Sequence, residues 1–180
     1  MGILIAEDDR ITRLKLQRQL EQMGHEVIEA ADGAAGWTLF QERTPSIVIC
    51  DWEMPHMNGV ELVRRIREAD TLHYVYIVML TGKSEKEDVV EGIEAGADDF
   101  VTKPFDRSEL RARLNAGLRI VELEHDLASA NKRLRHELAV ARELSDMEHR
   151  KHEESLLGES IPVRALREGI AFFAKTDEPL

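Results

Sequence analysis

Asp51 closes an apolar run, Ile47-Val48-Ile49-Cys50, and is followed by Glu53-Met54-Pro55-His56-Met57-Asn58-Gly59. A short β-rich apolar run reads as a buried strand, and Met-Pro and Asn-Gly just after it read as a loop. The strand therefore delivers one acid to its C-terminal end, where open α/β sheets place their sites. Gly2-Ile3-Leu4-Ile5-Ala6 does the same for Glu7, Asp8 and Asp9. A third run, Val75 to Leu80, ends at Thr81-Gly82, and a fourth, Asp99 to Thr102, ends at Lys103-Pro104. Acids, a hydroxyl and an amine are thus expected on one sheet edge.

Three carboxylates around one point repel, and they stay ionised only with a cation among them. Oxygen-only donors favour Mg2+ or Mn2+ with several retained waters. Asp8, Asp51 and the backbone carbonyl of Glu53 are the expected direct ligands, with Glu7 acting through a bound water. No His or Cys clusters with these acids, which argues against zinc. Such a site suits phosphoryl transfer, with Asp51 attacking in line and Lys103 neutralising the transferred oxygens. Aspartyl phosphate is the covalent product of such a nucleophile. Thr81 can hydrogen-bond a phosphoryl oxygen, Gly82 leaves room for the group, and a cis Lys103-Pro104 bond is expected to shape the loop.

The elements that must hold these residues alternate along the chain. Strands are read near 2–6, 25–30, 46–51, 75–80 and 99–102. Helices fit near 10–23, 33–43, 59–69, 85–95 and from 106 onward. Ile11, Leu14, Leu16 and Leu20 give the first helix its apolar stripe, and Gly24 stops it. Asp9 reads as the cap of that helix. Ser84 with Glu87 resembles a capping box, and Gly96 closes the helix that follows. Five βα units imply a doubly wound parallel sheet with helices on both faces.

From Asp106 to His152 there is no Pro, and the only Gly is Gly117. Ile120, Leu123, Leu127, Ala130 and Leu134 recur at alternating spacings of 3 and 4, a heptad seam. The seam resumes at Leu138, Ala141 and Ser145, shifted by four, which is a stutter. One reading is a solvated helix with a partial stripe. The preferred one is a dimerising coiled coil, weak because several seam positions are Ala or polar.

The whole chain has 180 residues, enough for one ordinary domain plus an appendage. Hydrophobic residues make up 43%, so a real core can form. A net charge of -11 argues against this portion gripping nucleic acid directly. Cys50 is the one cysteine, so no internal disulfide is available, and a cytoplasmic setting is expected. Cys50 reads as a small core residue. No apolar stretch approaches the ~20 residues of a membrane helix, and no signal peptide is expected at the N-terminus.

With these residues in place, the sequence resembles the receiver domain of two-component response regulators. The matching pieces are Glu7-Asp8, Asp51 with Met54-Pro55 and Gly59, Thr81-Gly82, Glu94-Ala95-Gly96-Ala97-Asp98-Asp99-Phe100, and Lys103-Pro104-Phe105. The resemblance implies a flavodoxin-like five-stranded sheet in order 2-1-3-4-5 and phosphotransfer to Asp51 from a sensor histidine kinase or phosphotransfer protein. It implies a switch coupling Thr81 to Phe100, although Phe100 also reads as a core residue. It gives Glu53 and Lys83 a role in tuning phosphoryl lifetime. A homodimer is expected through the linker seam read above and/or through the face of the fourth helix, fifth strand and fifth helix, which the resemblance makes the switch surface.

The expected domains are a receiver at 1–120, a coiled-coil linker at 121–153, and a tail at 154–180. Leu156-Leu157-Gly158-Glu159-Ser160, Pro162 and Thr176-Asp177-Glu178-Pro179-Leu180 resemble the start of the AAA+ domain of sigma-54-dependent activators. No G-x-x-x-x-G-K-[ST] loop is present, so ATP hydrolysis by that route is excluded. The tail reads as the start of a truncated output domain or as a remnant. Leu134-Arg135-His136-Glu137-Leu138 faintly resembles a phospho-acceptor His box, but no basic residue and proline follow, so no phosphotransfer role is expected of His136; His125, His149 and His152 read as solvated helix residues. The functional expectation is a regulatory module that switches its oligomeric state or an output domain, and is no enzyme beyond its own phosphorylation and dephosphorylation. A stand-alone signalling adaptor is the alternative. A metal-dependent phosphatase using Asp51 is a third class, without a substrate-pocket signature in the sequence.

Overall fold

The computed structural model describes residues 2–69, 71, 73–82 and 86–159. Lys83, the capping box expected to open at Ser84, and the tail from Ser160 lie outside the described residues. The chain divides into two compact units, Met1–Ala128 and Ser129–Leu180.

Among the described residues the elements run β1 (Gly2–Ala6), α1 (Arg10–Gln22), β2 (Glu26–Ala30), α2 (Gly33–Arg43), β3 (Ile47–Asp51), α3 (Gly59–Glu68), β4 (Tyr76–Thr81), α4 (Lys86–Ala95), β5 (Asp99–Thr102) and α5 (Arg107–Glu159). The strands form a parallel sheet in order β2-β1-β3-β4-β5, as expected for a doubly wound fold. Register pairs Ala6 with Cys50, Asp51 with Leu80, and Thr81 with Thr102. The strand ends that carry Glu7, Asp51, Thr81 and Lys103 are therefore neighbours.

Strand residues alternate between two cores, because successive side chains leave opposite sheet faces. Ile3, Ile5, Ile47, Ile49, Val78 and Leu80 pack with Leu16, Leu20, Leu110 and Leu114 of α1 and α5. Leu4, Ala6, Val48, Cys50, Ile77 and Met79 pack with Phe40, Leu62, Val63 and Ile66 of α2 and α3. Both faces are covered, which is why the inner strands read as continuous apolar runs. Cys50 is fully buried, and burial, helped by the Asp51 charge, pushes its thiol up to about 12, so it is a packing residue.

Caps set the helix ends. Asp9 accepts from the Thr12 amide at 2.8 Å and from the Thr12 hydroxyl at 2.7 Å, opening α1. These bonds hold the Asp9 carboxyl below its usual range. At the other end Gly24 has φ 89°, and the His25 amide reaches back to the Leu20 carbonyl, a Schellman stop.

At the edge opposite the acids, Arg67 of α3 ties three segments together. Its Nε donates to the Gly96 carbonyl, Nη1 to the Val75 carbonyl and Nη2 to Asp98 Oδ2, at 2.7, 2.7 and 2.6 Å. Asp98 also accepts from the Ile77 amide and the Tyr74 hydroxyl. The Val75 carbonyl is occupied by Arg67, and β4 starts one residue later than expected, at Tyr76.

In the second unit, residues 129–152 of α5 are exposed throughout, including Leu134, Leu138, Leu144 and Met147. Among the described residues no helix is long and apolar enough to cross a membrane.

Gly117 of α5 lies against the Tyr76 ring, and a Cβ there would sit 2.3 Å from Tyr76 Cδ1. Helix propensity alone favours Ala by up to about 1 kcal/mol, whereas overpacking costs about 1–3 kcal/mol. Gly117→Ala is expected to lower stability in urea unfolding, and Tyr76→Leu in the same chain to recover part of the loss. A net gain in stability for the single variant would refute this packing account.

Candidate functional site

Three consecutive residues, Glu7, Asp8 and Asp9, join β1 to α1, and β3 ends on Asp51 itself. Glu7 is fully buried, Asp51 is 8% exposed and Asp8 is exposed. One oxygen from each of Glu7, Asp8 and Asp51 lies within 4.8 Å of the others. Among the described residues this is the group of acids, His and Cys with metal-ligand proximity.

Lys103 follows β5 and reaches into this cluster. Its Nζ lies 2.7 Å from Glu7 Oε2 and 3.0 Å from Asp51 Oδ2. Asp51 Oδ1 accepts from the Trp52 amide at 2.9 Å, so both oxygens of the carboxylate have partners. The Lys103–Pro104 bond is cis, as expected, and the Lys103 amide donates to the Thr81 carbonyl at 2.7 Å. Thr81, 2% exposed, is the last residue of β4, where the sequence reading had ended the strand at Leu80. Its ladder pairing with Thr102 extends the strand by that residue.

Electrostatics follow from burial. Burial raises the Asp51 carboxyl above its ordinary range, and the Lys103 hydrogen bond only partly opposes it. Glu7 is raised for the same reason, again against Lys103. Burial pulls the Lys103 ammonium down, but hydrogen bonds to Glu7 and Asp51 outweigh it and hold the group above its ordinary value. The site is therefore short of positive charge. Hard oxygen donors, clustered and under-neutralised, fit a small divalent cation such as Mg2+.

The loop after β3 is tied down on both sides. The Trp52 amide donates to the Leu80 carbonyl and the Gly59 amide to the Trp52 carbonyl, each at 2.9 Å. Asn58 caps α3 by accepting from the Glu61 amide at 2.8 Å. Glu53 lies exposed on this loop, and the Lys83 expected opposite it is outside the described residues. Phe100 is half-buried and packs against the core that holds Trp52. A Cβ on Gly92 of α4 would come within 2.7–2.9 Å of the Phe100 and Trp52 rings, so α4 packs closely on these two rings there. His136 is exposed on α5.

Sequence reasoning missed Arg13, whose guanidinium holds the Glu7 and Asp8 carbonyls, and the Trp52 amide on Asp51. Neither carries a motif signal, since the first is a helix arginine among several and the second a backbone group.

The family described as response regulator receiver domain matches residues 3–115. The chain is 38% identical over 117 residues to the phosphate regulon transcriptional regulatory protein PhoB of Pseudomonas aeruginosa, covering 65% of this chain and 51% of that protein. It is 44% identical over 117 residues to the transcriptional regulatory protein CseB of Streptomyces avermitilis, covering 65% and 48%. The chain thus spans about half the length of the curated relatives it matches. Among solved structures it is similar to the chemotaxis response regulator CheY4 of Vibrio cholerae, with TM-score 0.61 and 30% identity over 64% of this chain and 97% of that one. It is also similar to a response regulator receiver domain protein of Clostridium thermocellum, with TM-score 0.63 and 26% identity over 68% and 97%.

A carboxyl whose folded-state value is raised stabilises the fold below its ordinary value, and that contribution is lost as pH rises through the folded value. Without added metal, Asp51→Asn is therefore expected to be more stable than the unsubstituted chain at neutral pH. The gap should close as pH falls toward 3.8, the ordinary value for Asp51. Thermal unfolding across this range measures it, and an Asn variant less stable at neutral pH would contradict the electrostatic account.

Proposed function

Because the chain belongs to the response regulator receiver domain family, we propose that it accepts a phosphoryl group on Asp51 from a sensor histidine kinase or phosphotransfer protein. The observation that carries the reading is the convergence of Glu7, Asp8, Asp51 and Lys103 at one sheet edge, with Thr81 ending the adjacent strand.

Asp51 is the phosphoacceptor. One of its oxygens attacks phosphorus in line, a P–O bond forms, and the donor's P–N bond breaks with its electron pair leaving on nitrogen. The Trp52 amide and the Lys103 ammonium fix the carboxylate before attack. Lys103 then neutralises a transferred oxygen, and the Thr81 hydroxyl donates to another. Asp8, Asp51 and the Glu53 carbonyl would hold Mg2+ directly, with Glu7 acting through water. When bound, the ion supplies charge that offsets the phosphoryl oxygens. Mn2+ has the same donor preference and would substitute.

Downstream, Thr81 is drawn toward the phosphoryl group and Phe100 follows inward, reshaping the face made by α4, β5 and α5. Val90 and Ile93, both exposed on α4, lie on the surface that would change. Glu53 and Lys83 set how long the phosphoryl group lasts. Phosphorylation adds about -2 charge, and a swing from about 1:99 to 99:1 needs about 5.5 kcal/mol of differential stabilisation. The exposed Leu123, Leu127 and Leu134 at heptad spacing, with Leu138 beyond the stutter, support a homodimer through α5, which passes the state to an output domain. The names of the curated relatives favour transcription regulation as that output, exerted in the cytoplasm.

Incubation with Mg2+ and a small phosphodonor is expected to add one phosphoryl group, seen by intact mass, and none to Asp51→Asn. Omitting Mg2+ or introducing Lys103→Ala should slow the gain by about a hundredfold or more, as for loss of a transition-state charge. Phosphorylation of Asp51→Asn at the normal rate would sink the assignment. Light scattering with Mg2+ and beryllofluoride tests the dimer. A mass that stays monomeric with and without the mimic would remove the coiled coil from the proposal.

A further inference from the structure

We propose that Arg13 is a positioning residue for the acid pair, holding the peptides of Glu7 and Asp8 so that both carboxylates face Asp51, and thereby setting the affinity of the site for Mg2+. This rests on the phosphoacceptor reading above.

Arg13 lies in the first turn of α1, and its Nη1 donates to the Glu7 carbonyl at 2.6 Å and to the Asp8 carbonyl at 3.3 Å. Its side chain is 16% exposed, and Nε is 3.8 Å from Glu29 Oε2 on β2. From the other side the Glu7 amide donates to the Ala30 carbonyl at 3.2 Å. The connection from β1 to α1 is therefore gripped at consecutive backbone groups, with the Asp9 amide also donating to Glu7 Oε1 at 3.3 Å.

Backbone groups in a loop need partners, and a guanidinium supplies charged donors in a rigid fork. Two successive carbonyls bound to one guanidinium fix the orientation of two successive peptides. The directions in which Glu7 and Asp8 leave the chain are then fixed as well. That restraint has work to do here, because the carboxylates it brings within 4.8 Å of Asp51 repel one another. Glu7 has a second hold through Lys103, but Asp8 is exposed and depends more on its backbone anchor. Loosening the loop lets Asp8 swing outward, and the divalent ion loses a preassembled ligand. Lysine keeps the charge and loses the planar geometry that aims the two N–H groups of Nη1.

Fluorescence of the buried Trp52, whose amide is on Asp51, reports Mg2+ titration, and intact mass reports phosphorylation. Arg13→Ala is expected to raise the half-saturating Mg2+ concentration about tenfold, in the range seen when a support of a metal ligand is lost. Phosphorylation at saturating Mg2+ should return close to the unsubstituted rate. Arg13→Lys should recover part of the affinity, and Glu29→Gln should leave it nearly unchanged, since that pair is long and at the rim. Thermal unfolding without Mg2+ measures any purely structural cost separately, and Arg13→Gln serves if the Ala variant does not fold. An unchanged Mg2+ midpoint in the Arg13 variants would overturn the inference, as would a phosphorylation defect that saturating Mg2+ does not restore. No response to Mg2+ in the unsubstituted chain would instead refute the phosphoacceptor reading, and this inference with it.

Discussion

Like charges crowded at the end of a buried sheet are the constraint around which this molecule is arranged. Glu7 and Asp51 are almost without solvent, and their mutual repulsion is met by a single ammonium placed between them. One cation against three carboxylates leaves the site deficient in positive charge. That deficit suits the site to a divalent ion and to the phosphoryl chemistry proposed above. An uncharged cluster of similar shape would be easier to fold and would attract neither.

Maintaining such a cluster requires a rigid support, and the parallel sheet provides one. Each inner strand buries both faces, so the strand ends cannot shift without disturbing two cores. Glu7, Asp51, Thr81 and Lys103 come from four neighbouring strand ends, spread over almost a hundred residues of sequence. The backbone ties reinforce this support: Arg13 on the first loop, Trp52 and Gly59 on the third, and the Lys103 amide on the Thr81 carbonyl.

Much of this was legible in the residues. Apolar runs that end in acids, a hydroxyl and a lysine point to the donors converging on one sheet edge, and the strand order is what the family resemblance implies. Asp9 as the cap of α1 and Gly24 as its stop followed from local chemistry alone. What stayed hidden depends on contacts between segments distant in sequence. Arg67 looks like any arginine on a helix surface, and only the fold brings the Val75 and Gly96 carbonyls and Asp98 to it. Gly117 looks like a flaw in a helix until the Tyr76 ring is seen against it. The exact end of β4 also escaped, because a β-branched threonine suits the last strand position and the first loop position equally well.

The Arg67 clamp has a mechanical consequence. Through the Gly96 carbonyl it pins the C-terminal end of α4 to α3, and through Asp98 it pins the chain immediately beyond to the start of β4. A rod fastened at one end acts as a lever, with displacement growing with distance from the fulcrum. The Phe100 and Trp52 rings bear on α4 at Gly92, close to that fulcrum. Any shift of those rings would therefore act on the helix about one turn from its fixed end.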